Sequence, residues 1–125
     1  MSKTRDFHIG DILSVTTGRL VSTRHIEGVY DILNFMTGES LYTHQLPRVS
    51  LEARPVLLRQ HPLLVTADAS MVNADNWKGW LAIQVERFGE TLPVQPMNED
   101  DHERIDPLSE LAEKVHPDRV VVVKP

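Results

Sequence analysis

Apolar residues recur at three- and four-residue steps through Ile26, Val29, Tyr30, Leu33 and Met36, a spacing that predicts a helix over 23–38 with one buried face. Thr23 is placed to cap its start, Glu27 falls in its positive first turn, and Gly38 stands where a left-handed residue ends a helix. A second helix is predicted from about Asp75 to Phe88, with Trp77, Trp80, Leu81, Val85 and Phe88 on one face and Gly89 as its stop. A third starts at Asp106-Pro107, a capping side chain followed by proline, and is expected to bury Leu108, Leu111, Ala112 and Val115.

The remaining segments carry weaker patterns. Phe7-His8-Ile9 reads as a short extended entry to a brief helical turn that runs from Gly10-Asp11 to Thr16 and stops at Gly18; the β-branched run Val15-Thr16-Thr17 leaves a strand open there. A helix is expected between Ser50 and His61, with Pro55 as its first residue and Leu57 and Leu58 on its apolar side. Leu63-Leu64-Val65 reads as a buried strand or a packed connector. Thr91 to Met97 alternates apolar and polar residues, but Pro93 and Pro96 restrict it to a sheet edge or an extended arm. The run Val120–Val123 reads as a strand covered on both faces. The expected architecture is α+β, or α/β: one helix-rich domain over 1–125, loose over its first five residues, with a small sheet that includes the C-terminal valine strand.

Composition narrows the functions. The 125-residue chain can bury a core without staples. It has no cysteine, which excludes disulfides, cysteine nucleophiles and thiolate metal sites. It has no apolar run of membrane-spanning length and no secretory leader, so a cytoplasmic protein is expected. A net charge of −5 argues against general nucleic-acid binding, and no sequence-specific contact with nucleic acid is expected. Charge is asymmetric: Arg19, Arg24, Arg48, Arg54 and Arg59 lie in the first half, and the acidic Glu99-Asp100-Asp101 in the second.

No catalytic motif stands out. The six histidines lack the spacing of a metal site, so no metal and no cofactor is expected. The polar segment after the central helix is the best candidate for ligand chemistry. His44 could exchange a proton near neutral pH, Gln45 could orient a polar ligand, and Arg48 could grip a carboxylate or phosphate as a fork. Arg59 and His61 have similar chemistry and could line the same pocket. The competing reading is that these groups tie the loop to nearby backbone and carboxylates. A second candidate surface is the acidic loop of Glu99, Asp100, Asp101 and Glu103, which could face a basic partner.

The blocks GDILSVTTGRLVS, GVYDILNFMTGESLYTHQLPR, LLRQHPLL and WKGWLAIQVERFGETLPV resemble a family of small uncharacterised proteins of bacteria, their phages and mobile elements. The resemblance implies no catalytic residue. It implies a setting: an accessory protein inside a bacterial host that binds a host or phage protein complex, plausibly inhibiting a host defence in the manner of an anti-CRISPR protein. Two other readings stand beside it. One is a small ligand-binding domain or enzyme with its pocket at His44–Arg48. The other is an assembly module, for instance a homodimer, built on an uncovered apolar face.

Overall fold

A computed structural model describes residues 4–115, with side chains to residue 111. The fold is α+β and helix-rich, and among the described residues its sheet is an antiparallel pair, β1 (Arg5–His8) with β2 (Thr91–Val94). Asp6 stands opposite Pro93 and Phe7 opposite Leu92. In a two-stranded sheet both strands are edges, which is why a proline is tolerated in β2. Phe7 and Val94 turn inward and join the core. No described helix is long and apolar enough to cross a membrane.

Helix α1 (Ile9–Thr17) follows β1 directly. The His8 ring caps it, its Nδ1 accepting from the Gly10 amide at 2.9 Å, and Gly18 ends it at φ 76°. The strand alternative for Val15–Thr17 is therefore not adopted; local β preference yields to the burial of Ile9, Ile12, Leu13 and Val15. This helix, rather than the more regular one after it, is the most completely enclosed, and it packs against the next two helices and the fourth.

Helix α2 (Ile26–Thr37) is shorter than its predicted span. Val29, Leu33 and Met36 are buried as the period requires, and Gly38 closes the helix at φ 74°. Two expectations fail at its start. Thr23 makes no cap, because the residue before the helix is His25 in a positive-φ turn, and Ile26 is exposed because the helix only begins there.

Helix α3 (Leu46–Gln60) corrects the sequence reading most. It starts at Leu46, nine residues before the expected first residue Pro55, with Pro47 in its first turn and Pro55 in its interior. Proline there deprives the Leu51 carbonyl of its helical donor, a defect of roughly 3 kcal/mol. Both residues are exposed, while the opposite face buries Val49, Ala53, Val56 and Leu57, so the helix runs through. Leu63–Val65 belongs to a 3₁₀ connector (Pro62–Thr66), with only Leu64 of the three buried.

Helix α4 (Trp77–Phe88) follows its predicted face: Leu81 is buried, and Trp77, Trp80, Val85 and Phe88 pack partly against the core. Helix α5 (Pro107–Val115) starts as expected, with Asp106 Oδ2 accepting from the Ser109 amide. Its predicted inward face is wrong. Leu108 is 75% exposed, whereas Glu110 is 3% exposed. The side chains of Ala112 and Val115, and the whole of Val120–Val123, lie outside the described residues.

Candidate functional site

The segment singled out by its polar content is a 3₁₀ turn (Thr43–Gln45) running straight into α3, so Arg48 stands in the first helical turn rather than on a loop. Its side chains face α5. Arg48 grips Glu110 as a fork, Nε to Oε2 at 2.8 Å and Nη2 to Oε1 at 3.0 Å. Its Nη1 donates to Glu52 and to the Glu103 carbonyl, both at 2.9 Å. Gln45, fully buried, donates to Glu110 at 3.2 Å and to the Ile105 carbonyl at 3.3 Å. His44 Nε2 donates to the Pro107 carbonyl at 2.9 Å. The hydrogen bond to Glu110 holds the Arg48 guanidinium above its ordinary value, against burial, so it stays charged throughout the working pH range. These three residues form a clasp that attaches the start of α5 to α3.

Arg59 and His61 do not join them. Arg59 pairs with Asp101 at 3.1 Å, and His61 Nε2 donates to the Pro93 carbonyl at 2.6 Å, tying the end of α3 to the acidic loop and to β2. The acidic residues divide likewise. Asp101 is held by Arg59, whereas Glu99, Asp100 and Glu103 are exposed. Beside them His102 bridges Glu52 and Glu39 through its two ring nitrogens, at 2.6 and 2.5 Å. The loop is thus anchored by Asp101 and His102 and presents the others to solvent.

A second polar cluster lies at the opposite end of α2, and sequence reasoning missed it. Asp11, on α1, is 1% exposed. It accepts from the Ser22 hydroxyl and from Arg24 Nη2, each at 2.5 Å. That hydrogen bond, opposed by burial, holds Arg24 above its ordinary value. Arg24 also reaches Asp31 at 3.1 Å, and Arg5 grips Asp31 as a fork at 2.9 and 2.7 Å. Together these bonds fix the chain between α1 and α2. The available signal was a lone carboxylate amid Ile9, Ile12 and Leu13.

Burial pushes the Asp31 carboxyl up, but the hydrogen bonds from Arg5 and Arg24 outweigh it and leave it below the usual range. A depressed carboxyl contributes stability above its unfolded value, about 3.9, that is lost as pH falls through the folded one. The pair is part-exposed, so the contribution should stay below about 1 kcal/mol. Urea midpoints of Asp31→Asn should therefore fall less steeply than wild type below about pH 4. Parallel curves would contradict this.

The turn fixed by Asp11 forms one wall of a groove of about 540 Å³, lined by His8, Thr23, His25, Trp77, Lys78 and the apolar Leu81, Ala82 and Val85 of α4. His25 sits at φ 58° and ψ −138°, the single non-glycine residue with positive φ among the described residues. Its ring meets Trp77 edge to face, 6.1 Å between centroids, and the Lys78 ammonium lies 5.7 Å from the Trp77 ring centre.

The model of a protein family described as a domain of unknown function, DUF7736, matches residues 7–67. Over that stretch the chain is similar to an uncharacterised domain family. The match runs from the second half of β1 through α3, and takes in Asp11, Ser22, Arg24, Asp31 and the His44–Arg48 side of the clasp, and it ends before α4. No curated protein and no solved structure matches the chain.

Proposed function

We propose that the chain acts by binding another protein, as an accessory protein of a phage or mobile element that occupies a host defence or host enzyme complex. The observation that carries this reading is the outer side of α4. Gly79, Ala82, Ile83 and Glu86, spaced as one helical stripe, are exposed, and Ile83 is 56% exposed. A Cβ added at Gly79 would meet nothing within 4 Å. Ile83 thus stands with Gly79 and Ala82 as an uncharged strip between the exposed charges of Lys78, Glu86 and Arg87, a small apolar face with a polar rim of the kind a partner covers.

A second group of exposed apolar side chains lies on the connector after α3. Arg87 donates to the Thr66 hydroxyl and the Trp80 indole to the Asp68 carbonyl, at 2.5 and 3.0 Å, which lays the 62–70 connector along α4. The connector adds Leu63 and Val65, 73% and 72% exposed, with Met71 just beyond it. Large apolar side chains left this exposed are the material of interaction surfaces. The exposed Glu99, Asp100 and Glu103 would steer a basic partner at a separate edge.

The test compares proteins captured from a bacterial host lysate by wild type and by Ile83→Asp, with thermal midpoints measured on both. A captured protein lost from Ile83→Asp at unchanged stability supports the reading. Equal capture by both, or none, contradicts it. A concentration-dependent dimer dissolved by Ile83→Asp would assign the stripe to self-association instead.

A further inference from the structure

The geometry points to the groove between α4 and the Ser22–His25 turn as a binding site for a small amphipathic anion, an apolar ring or chain ending in a carboxylate or phosphate. This site borders the outer stripe of α4 at Ala82, while Gly79, Ile83 and Glu86 of that stripe do not line it.

The lining has one chemical sense. Every polar side chain in it can donate a hydrogen bond and none is a carboxylate. The Nδ1 of His8 accepts from the Gly10 amide, so the neutral ring carries its proton on Nε2. His25, Thr23 and Lys78 make no side-chain hydrogen bond among the described residues; His25 and Lys78 are engaged only with the Trp77 ring. The rest of the wall is aromatic and aliphatic. A few donors set in an apolar cleft of this size suit a ligand with one charged end and a flat apolar body. Trp77 offers the face or edge for stacking, and a cation beside the ring supplies the charge.

The backbone at His25 is the second observation. Positive φ favours glycine, and a β-carbon there is strained. Two turn bonds enforce it, from the His25 amide to the Ser22 carbonyl at 3.0 Å and from the Gly28 amide to the His25 carbonyl at 3.1 Å. Ser22 is in turn locked by buried Asp11. A rigid frame thus holds a strained histidine at the groove wall without using its imidazole for any internal hydrogen bond among the described residues. Strain kept at such a place is the mark of a side chain positioned for a ligand.

The test uses the full chain, labelled with ¹⁵N, titrated with 1-naphthoate, 1-naphthyl phosphate and the neutral 1-naphthalenemethanol. Resonances of the Trp77 indole and the His25 amide are followed. The expected result is saturable one-to-one binding of at least one anion, about tenfold or more tighter than the neutral probe, as one charge-assisted contact implies. The stronger of the two anions identifies the acid group. Lys78→Met and His25→Gly should each erase most of that preference, and His25→Gly should do so with a thermal midpoint equal to or above wild type. Binding that does not saturate, equal affinity for charged and neutral probes, or a His25→Gly protein that keeps the full anion preference would overturn the assignment.

Discussion

Gly28→Ala is expected to destabilise the protein by about 2–4 kcal/mol, the reverse of what the same change does in an ordinary helix. Glycine inside a helix normally costs about 1 kcal/mol relative to alanine. Here a β-carbon would overlap the Asp11 carboxylate and the Ser22 hydroxyl. Neither can retreat: they bond each other at 2.5 Å, and Asp11 is also held by Arg24 at 2.5 Å. The glycine therefore lets α2 approach the buried carboxylate that fixes the chain before it. Gly79→Ala is the internal control, because its β-carbon meets nothing within 4 Å. Thermal unfolding of the two variants should move in opposite directions, down by roughly 10 °C for Gly28→Ala and slightly up for Gly79→Ala. A Gly28→Ala protein as stable as wild type would show that the frame around Asp11 is loose.

Arg48→Met should cost about 3 kcal/mol, and the loss should begin at α5. The side chain keeps its apolar stem but withdraws the fork from Glu110, which is 3% exposed, and the donors to Glu52 and the Glu103 carbonyl. Breaking a fork on a buried carboxylate is far costlier than breaking a surface pair. Amide hydrogen exchange should show residues 107–111 losing protection more than α1, because among the described residues the side-chain hydrogen bonds between that helix and the body run through the clasp. Unchanged exchange in α5 would mean that Arg48 is free to serve a ligand, as its sequence context first suggests.

These two sites show where the sequence is legible. The face of α2, the stops at Gly18, Gly38 and Gly89, and the edge strand around Pro93 all follow from rules that span only a few residues. The start of α3 was misplaced because Pro47 and Pro55 both satisfy the first-turn rule, and the local pattern favoured the later one. The orientation of α5 was misread for a different reason. Leu108 and Leu111 have the spacing of a buried face, but Glu110 is drawn inward by Gln45 and Arg48, more than sixty residues earlier in the chain. Likewise Asp11 looked like a helix-opening residue, since its partners Ser22 and Arg24 lie beyond the intervening turn. At His44–Arg48 the sequence marks polar residues whose hydrogen-bond partners in the structure are Pro107, Glu110 and Glu52. The groove at His25 escaped notice because its walls come from segments some fifty residues apart, and no local period marks a strained φ.

The division of labour between a structural clasp at α3 and open surfaces on α4 rests on the bond between Arg48 and Glu110. A double-mutant cycle with Arg48→Met, Glu110→Gln and the pair together, read by urea unfolding, measures it directly. A coupling energy of about 2 kcal/mol or more is predicted. Additive effects, within about 0.5 kcal/mol, would contradict the clasp and return Arg48 to the list of residues available to a ligand.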